Sequence, residues 1–546
     1  MKKWTPCIIL GCAQFVMVLD STVMNVSIST VVKDLDTTVA AMQAAITFYT
    51  LTMASLMLLG AKLGDVWGRR PAFVIGSIVY ACGSLTTALS PNITVLFLGW
   101  SVVEGLGAVL VIPAIAALIA NNYHDQDRVT GFAIIGATSG VAVALGPLIG
   151  GYVTTYLSWR YVFFGEVVVM AVVLAFVRLI PDTSQPQRIR IDALSALLSA
   201  AGLTLIVYAM LQSKTWGWVL PKNSPEIGGV PINPLGLSLV PYLLLAGGFL
   251  LWLFFIRQEA LVTRGVPPLV HVSMLSIKRL RSGLSVLGAQ YMVTAGVFFM
   301  IPVYLQMTLG YNALDTGIKI LPLSIALVLF SVVGTRMTAV WSPRRIIRLG
   351  QLILVVSSFI LLGSVSLDLR SFLFAVGMFL AGAALGLLAS QIGNVTMSSV
   401  GVEQSSEVGG LQGVFQNLGS SLGTALIGSI LIASLSSSFL GAVESSDLSS
   451  STKQLVATST EKGVQIVPVS TVDGIATEAG LSSADAATLT TLYSESQVSS
   501  LRASFLALVF ISALSLLFSK NIPTELVRRK PEEAAGGDRA ASGTAT

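Results

Sequence analysis

The sequence predicts an all-α protein that crosses a membrane about fourteen times. Three observations lead to this prediction: few charged residues, long apolar stretches, and short charged segments between those stretches. Of the 546 residues, 54% are hydrophobic and only 11% are charged, and the mean hydropathy is +0.81. Soluble domains carry roughly 25% charged residues. The helices are therefore expected to be buried in lipid and against one another rather than around one water-excluded core.

The apolar stretches define the individual spans. Each is close to the ~20 residues that a helix needs to cross the hydrocarbon core. An even number of crossings places both termini on the same side of the membrane. The predicted spans are 8–32, 41–60, 72–90, 93–120, 130–155, 161–180, 193–213, 236–256, 283–307, 316–334, 346–364, 371–396, 407–433 and 502–519.

The basic residues set the predicted orientation. Most of the 32 Lys and Arg residues fall in segments on the side of the amino terminus. Cytoplasmic loops carry such an excess of positive charge. The sequence therefore predicts a multi-pass protein of the plasma membrane with both termini in the cytoplasm. Because the basic residues lie between spans, the calculated pI near 9.0 does not indicate nucleic-acid binding.

Acidic residues inside the predicted spans are the first candidate functional groups. Asp20 lies about twelve residues into the first span, and Glu104 and Glu166 lie in the fourth and sixth. Ionised carboxylates are costly at this depth, so they predict a proton-exchanging or cation-binding site that faces a water-filled cavity. The alternative is structural: Asp20 bonds to Asn25 or a neighbouring helix, Glu104 bonds across to another helix, and Glu166 pairs with Arg160.

The segment GAKLGDVWGRRP, residues 60–71, is a charged turn between two spans that contain no charged residues. An acid near the end of one helix can interact with an Arg and with the amino terminus of the next helix. We therefore predict a conformational latch, against the alternative of a simple topology signal. Its residues are Gly60, Gly64, Asp65, Gly68, Arg69 and Arg70.

The fifth predicted span is rich in glycine around one proline. Small residues let a neighbouring helix approach closely, and a proline interrupts the backbone hydrogen bonds and bends its helix. This pattern predicts a gating helix that seals and opens the protein. Its residues are Gly136, Gly140, Gly146, Pro147, Gly150 and Gly151.

The chain also repeats part of itself. Gly60, Lys62 and Trp67 keep the same offsets as Gly334, Arg336 and Trp341 in the loop after the tenth predicted span. Such an internal repeat indicates two parallel halves with a site between them, as in many transporters.

Several motifs in one order resemble those of the fourteen-helix drug:proton antiporters of the major facilitator superfamily, the EmrB/QacA type. Besides the 60–71 segment, the similar stretches are LDSTVMNVS (19–27), GATSGVAVALGPLIGG (136–151), SWRYVF (158–163), WGW (216–218) and YLQMTLGYNALDTGIKILP (304–322).

The resemblance implies a major facilitator fold of two six-helix bundles with two inserted linker helices. The predicted parts are an amino-terminal bundle (1–190), two linker helices (191–258), a carboxy-terminal bundle (259–530) with an external loop (434–500), and a disordered cytoplasmic tail (531–546). The external loop is either solvated, with an amphipathic helix near 483–498, or a cap that contacts substrate.

The sequence departs from the resemblance in the fourth span. The family pattern expects Arg, then Gln three positions later, then Gly, where this chain has Ser101, Glu104 and Gly105. At the sixth span the family usually has Asn at the position of Glu166. Losing a cation and gaining two acids makes the amino-terminal cavity more negative, which favours lipophilic cations or exchangeable protons.

The resemblance therefore implies a secondary active transporter, and not an enzyme. It would export hydrophobic, cationic small molecules in exchange for protons by alternating access. The partners are small-molecule substrates, protons and the lipid bilayer, with no cofactor, no metal, no nucleic acid and no obligate protein partner. One alternative is an exporter of a dedicated physiological substrate, such as a lipid, siderophore or amino-acid derivative, with altered coupling. A membrane enzyme or sensor is the other, and no nucleophile–base pattern in the sequence supports it.

Overall fold

The computed structural model describes residues 2–123, 125–182, 191–227, 230–400, 405–460, 463–522 and 524. Within these ranges, fourteen helices are long and apolar enough to cross a membrane, which confirms the predicted fold class. The predicted tail at 531–546 lies outside the described residues. The division of the chain into two bundles and two linker helices stays a prediction, and the terms amino-terminal set (α1–α8) and carboxy-terminal set (α11–α18) are used below only for location.

The helices of the amino-terminal set and the two inserted helices follow the predicted spans closely. Their bounds are α1 Thr5–Val26, α2 Ile28–Asp34, α3 Val39–Trp67, α4 Arg69–Ala88, α5 Ile93–Leu96, α6 Gly105–Asn122, α7 Asp125–Tyr156, α8 Arg160–Phe176, α9 Ala193–Trp216 and α10 Leu239–Thr263. A short antiparallel pair, β1 Glu226–Ile227 and β2 Val230–Pro231, lies between α9 and α10.

The carboxy-terminal set supplies the remaining spans. Its helices are α11 Lys278–Val303, α12 Ala313–Met337, α13 Pro343–Ser364, α14 Ser371–Met397, α15 Ser405–Glu444, α16 Ser450–Ser459, α17 Val469–Glu478 and α18 Ser483–Phe518. We call the side where α1 begins and α18 ends the terminal face, and the opposite side the far face.

Two of the described membrane spans contain a π-helical segment. A π-helical segment, Phe97–Glu104, joins α5 to α6 within one membrane span, and a second, Tyr304–Thr308, extends α11. π-helical turns are rare and occur frequently at functional sites. The periodicity of the sequence did not predict either one, because both lie in continuous apolar runs.

The predicted external loop at 434–500 is largely helical. Helix α15 continues to Glu444, α16 and α17 follow, and α18 runs unbroken from Ser483 to Phe518. The predicted amphipathic helix at 483–498 and the predicted last span are thus one helix, since no Gly or Pro interrupts that stretch. Tyr493 fixes the intervening chain: its hydroxyl donates to the Gln465 carbonyl (2.7 Å) and accepts from the Val467 N–H (2.9 Å).

Hydrogen bonds connect the two sets near the far face. The Gln306 side chain donates to the Val26 carbonyl (2.6 Å), and the Leu314 N–H donates to the Thr155 hydroxyl (3.1 Å). These bonds run from the ends of α11 and α12 to the far ends of α1 and α7. They close this part of the contact between the sets in the observed conformation.

Close approach between α4 and α6 positions the site described below. A Cβ built on Gly107 would lie 2.4 Å from the Tyr80 backbone nitrogen, and one built on Gly83 would lie 2.5 Å from the Glu104 nitrogen. Real Cβ atoms do not approach so closely, so only glycine lets the two backbones pack at these positions. This packing puts Glu104 beside the face of α4 that carries Tyr80.

We expect Gly107→Ala to lower the free energy of unfolding by about 1–3 kcal/mol, because the added methyl group forces apart two packed backbones. The matched control is Gly248→Ala on α10, where nothing lies within 4 Å of the added carbon. The control should be neutral or gain roughly 0.5–1 kcal/mol. Chemical denaturation in detergent measures both, and equal effects of the two variants would contradict this packing argument.

Candidate ion-coupling site

Three acidic side chains from three different spans meet inside the amino-terminal set. Asp20 lies on α1, Glu104 ends the π-helical segment before α6, and Glu166 lies on α8. One carboxylate oxygen from each lies within 4.8 Å of the other two. Asp20 and Glu104 are 0% exposed and Glu166 is 2% exposed. We call these three residues the acid triad.

Asp20 has one strong protein donor. The indole N–H of Trp100 donates to both of its carboxylate oxygens, at 2.9 and 3.0 Å. The Trp100 ring stacks on the Tyr49 ring with 4.8 Å between centroids and 9° between planes, which fixes the indole in place. The partner of Asp20 is therefore a neighbouring span, and not Asn25 as one sequence alternative supposed.

Asn25 lies apart from the triad contacts. Its side-chain amide donates to the Ser21 carbonyl of its own helix (2.6 Å), and its side-chain oxygen is buried without a hydrogen-bond partner. It therefore makes no described hydrogen bond to any of the three acids.

Glu166 receives its donors from α4. Ser84 donates to its Oε2 at 3.0 Å, and Tyr80 donates to the same oxygen at 3.5 Å. These two hydroxyls face Glu166 because they are four residues apart on one helix face. The other oxygen, Oε1, is buried and has no hydrogen-bond partner.

Arg160 does not pair with Glu166, which corrects the structural alternative for that acid. Its guanidinium instead forms a salt bridge with Asp34 on the far face, and the Trp159 indole donates to the same Asp34 oxygen at 3.0 Å. Burial alone would raise the pKa of Asp34, but the hydrogen bonds from Arg160 and Trp159 and the Arg160 charge hold it below its usual range. Glu166 is left without a basic partner in the described part of the chain.

Glu104 is the member of the triad that accepts no hydrogen bond. Both of its carboxylate oxygens are buried, and neither meets a hydrogen-bond donor at bonding geometry. The structural alternative, a hydrogen bond across to another helix, is therefore not observed. An ionised carboxylate cannot be accommodated in such a place without a large free-energy cost. Glu104 must hold a proton, share one with a neighbouring acid, or bind a cation.

The triad can consequently do two kinds of chemistry. Three acids this close cannot all ionise, so they titrate as a group and share protons. The same oxygens could hold a cation, a possibility that sequence spacing did not reveal because the three acids lie far apart in the chain. Since all three are buried, they do not line an open cavity in this conformation. Their role as a proton-coupling or substrate site stays a prediction.

The predicted latch residues make specific contacts at the terminal face. The Arg69 guanidinium forms a salt bridge with Asp65 one helical turn earlier, and Arg70 donates to the Ile180 carbonyl at 3.1 Å. Gly68 adopts φ 95° between α3 and α4, a conformation that side chains rarely adopt. Gly60 and Gly64 are buried, and a Cβ on Gly60 would meet the Val109 backbone of α6 at 2.2 Å. The latch role itself stays a prediction.

Among the residues predicted for the gating helix, α7, those that lie closest to neighbouring helices are in its far half: Gly146, Pro147, Gly150 and Gly151. A Cβ on Gly146 would meet Thr22 of α1 at 1.8 Å, one on Gly150 would meet Val23 at 2.9 Å, and one on Gly151 would meet the Ala313 backbone of α12 at 2.6 Å. The Pro147 carbonyl lies where a side chain on Gly317 would be.

Gly136 and Gly140, nearer the terminal face, have nothing within 4 Å of an added Cβ. These two glycines therefore do not mediate close packing in this conformation, contrary to the sequence expectation.

The sequence missed the donors that surround the triad. Trp100, Tyr80 and Ser84 lie in apolar spans, where aromatic and hydroxyl residues are common and carry no distinctive spacing. One signal was present: Trp100 lies four residues before Glu104, on the same helix face. Its partner on α1 could not be known without the packing of the spans.

Comparisons with known proteins agree with this architecture. The family model described as Major Facilitator Superfamily matches residues 10–424. The chain is 26% identical over 452 residues to a probable actinorhodin transporter of Streptomyces coelicolor, covering 81% of this chain and 75% of that protein.

Two further relatives carry names that state a role in resistance or efflux. The puromycin resistance protein of Streptomyces alboniger is 29% identical over 79% of this chain and 82% of its own length. The drug efflux pump JefA of Mycobacterium tuberculosis is 27% identical over 78% of this chain and 79% of its own.

Solved structures share the fold at lower sequence identity. The bacterial homolog of the human lysosomal transporter Spinster, in an inward-facing and unoccupied conformation, matches with a TM-score of 0.58 and 15% identity. The match covers 95% of this chain and 97% of that one. At this identity the likeness establishes the fold alone.

We expect the stability of the protein to fall as pH rises from about 5 to 8. Glu104, buried without a donor, is accommodated at low cost when it carries a proton, whereas a solvated glutamate of the unfolded chain has released its proton well above about pH 4.5, so unfolding should release protons. Each held proton contributes a slope of about 1.4 kcal/mol per pH unit. Glu104→Gln removes one titrating member and should flatten the profile, whereas Asp368→Asn, at an exposed acid, should not.

Chemical denaturation in detergent at several pH values measures these slopes. Parallel profiles for wild type and Glu104→Gln would show that Glu104 holds no proton in the folded protein.

Proposed function

Because the chain belongs to the major facilitator superfamily, we propose that it is a secondary active transporter that exports hydrophobic, cationic small molecules in exchange for protons. The observation that carries this proposal is the acid triad: three buried carboxyl groups without a basic partner in the described part of the chain. The names of its relatives, which include transporters and drug-resistance proteins, support export.

In this proposal the triad is the proton site and the substrate binds elsewhere. The triad is buried in the observed conformation, so a drug-sized molecule has no access to it, whereas protons can reach it through transient water. While sealed, the triad keeps Glu104 and Glu166 neutral by holding protons. When helix movement hydrates it, the acids can ionise and release those protons.

The uneven set of donors gives the three acids different roles. Both Asp20 oxygens share the single N–H of the fixed Trp100 indole, which suits an ionised carboxylate. Glu104 has no donor and Glu166 has an unpartnered oxygen, so these two are the groups that carry exchangeable protons. The negative charge that remains on Asp20 favours a cationic substrate over an anionic one in the same set of helices.

Alternating access would use the latch and the gating helix. Proton binding or release at Glu104 and Glu166 changes the electrostatic force on the Asp20 carboxylate of α1, and α1 contacts α7 through Thr22 and Val23. The Asp65–Arg69 salt bridge would hold the terminal-face ends of α3 and α4 in one state and release them in the other. We place the protein in the plasma membrane, with both termini in the cytoplasm, on the distribution of Lys and Arg.

The test is transport in proteoliposomes under an imposed pH gradient, with ethidium and puromycin as probes. The wild type should move at least one probe in proportion to the gradient. Asp20→Asn, Glu104→Gln and Glu166→Gln should each lower gradient-driven transport at least ten-fold, because each removes a titrating member of a coupled group. The control variant Glu259→Gln changes an exposed acid outside the triad and should keep near wild-type transport.

Two results would overturn the assignment. If all three triad variants keep gradient-driven transport, the triad does not couple to protons. If a Na⁺ or divalent-cation gradient at equal pH drives transport of the same probe, the triad binds a metal cation rather than protons.

A dedicated physiological substrate is the second candidate function, favoured by relatives whose names refer to single natural products such as actinorhodin and puromycin. Competition between unrelated compounds separates the two candidates. Mutual inhibition by chemically different cations supports multidrug export, and inhibition confined to one chemical class supports a dedicated carrier.

A further inference from the structure

The segment between the two sets, residues 191–277, does more than connect them. It comprises α9, α10 and the connection that leads into α11. Helix α9 packs against α3 of the amino-terminal set and α15 of the carboxy-terminal set at the same time. One apolar cluster contains all three elements, and its buried members are Leu51, Leu203, Val207, Leu211 and Ala425. We call the contact between α3 and α15 the α3/α15 seam.

At the far end of this seam, three elements meet at one glutamine. Gln43 of α3 is fully buried and donates through Nε2 to the Thr424 and Ala425 carbonyls of α15, both at 3.1 Å. Its Oε1 accepts from the Lys214 ammonium of α9 at 3.0 Å. Gly428 makes room for the amide, because a Cβ there would lie 2.4 Å from the Gln43 side chain.

The far-end contact needs Lys214 to be complete. A buried amide oxygen that lacks a hydrogen-bond donor is unfavourable, because it has lost its hydration without a replacement. The lysine therefore stabilises the glutamine side chain in the orientation that bonds α3 to α15. In the described residues Lys214 forms no salt bridge. A second bond supports the same junction: the Ser429 hydroxyl of α15 donates to the Met210 carbonyl of α9 at 3.0 Å.

At the terminal end of the same seam, three elements meet again, this time at one glutamate. Glu407, in the first turn of α15, lies 3.9 Å from the Lys62 ammonium of α3. Its two carboxylate oxygens lie 2.8 and 3.0 Å from Nδ1 of His271, in the connection between α10 and α11. Val270 and Met274 from that connection pack into an apolar cluster with the start of α15, and Leu58 of α3 packs against the same cluster.

The two junctions have the same composition. Each brings together polar groups from α3, from α15 and from the inserted segment. We infer that the inserted segment is a clasp that engages both ends of the α3/α15 seam, and that Lys214 and His271 are the positioning residues that set the balance between the conformation open at the far face and the one open at the terminal face. Removing either residue weakens one end only, so the population shifts toward opening at that end.

Cysteine accessibility in proteoliposomes tests this inference without needing transport. In a background with Cys7, Cys12 and Cys82 changed to Ser, one reporter is Thr424→Cys for the far end and the other is Leu58→Cys for the terminal end. A membrane-impermeant maleimide, applied to one side at a time, gives the labelling rate of each.

The expected signature is a pair of opposite changes. Lys214→Met should raise labelling of the far reporter about five-fold or more and lower labelling of the terminal reporter, since one charge-assisted bond is lost at the far end. His271→Leu should do the reverse. The control is Lys222→Met, which removes a lysine charge at an exposed position between α9 and α10. It should change neither labelling rate.

Each alternative outcome contradicts the clasp. Unchanged labelling in both variants shows that the seam does not depend on the inserted segment. Faster labelling of both reporters in each variant shows general loosening, and therefore a structural role only. A third reporter, Ala381→Cys in the core of α14, should stay unlabelled in all variants and verifies that they are folded.

Discussion

The structure depends on one electrostatic constraint: three carboxyl groups are held in a membrane-spanning bundle with no basic side chain bonded to them in the described part of the chain. Three donors, from Trp100, Tyr80 and Ser84, serve six carboxylate oxygens, and Glu104 receives none of them. Ionisation of all three carboxyl groups would cost too much free energy at low dielectric. The folded protein must therefore hold protons or other positive charge there.

The same constraint links the acids to the helices that move. Thr22 and Val23 follow Asp20 by two and three residues on α1. Their side chains fill the space beside Gly146 and Gly150 of α7. Helix α7 in turn meets α12 where the Pro147 carbonyl faces Gly317. These contacts leave almost no free volume, and closely packed contacts shift between discrete arrangements rather than deform continuously. A change of charge beside Asp20 of α1 thus has a short, contiguous route to the other set of helices.

The sequence predicted the fold well and the site only in part, and the difference has a physical origin. Membrane spans can be recognised from a short stretch of sequence, because a helix that crosses lipid must be apolar over about twenty residues. The predicted number of spans was therefore correct. Asp20, Glu104 and Glu166 were identified individually, since acids stand out in apolar runs. Their proximity depends on how α1, α4 and α8 pack around the π-helical segment. Backbone approach at glycines such as Gly83 decides that packing, and no local pattern encodes it.

The alternative hydrogen bonds proposed from sequence failed for the same reason. Arg160 seemed the natural partner of Glu166, because it lies six residues away in the chain. The two side chains point in different directions, however: Arg160 reaches Asp34 at the far face, and Glu166 lies in the interior. Asn25 is five residues from Asp20 and bonds to its own helix instead. Sequence proximity predicts contact only at helical spacings of three or four residues.

The proposal that the buried triad is the proton site, with the substrate bound elsewhere, has a consequence for selectivity. A carboxylate that both bound protons and touched substrate would have to fit each substrate geometrically before it could release its protons. In this proposal a substrate bound elsewhere acts on the buried triad by moving the helices that carry the acids, and chemically different molecules can produce the same displacement. The energy available is the differential affinity of each ligand for the two conformations. Coupling then depends on helix position rather than on substrate shape, and one buried triad can serve many substrates.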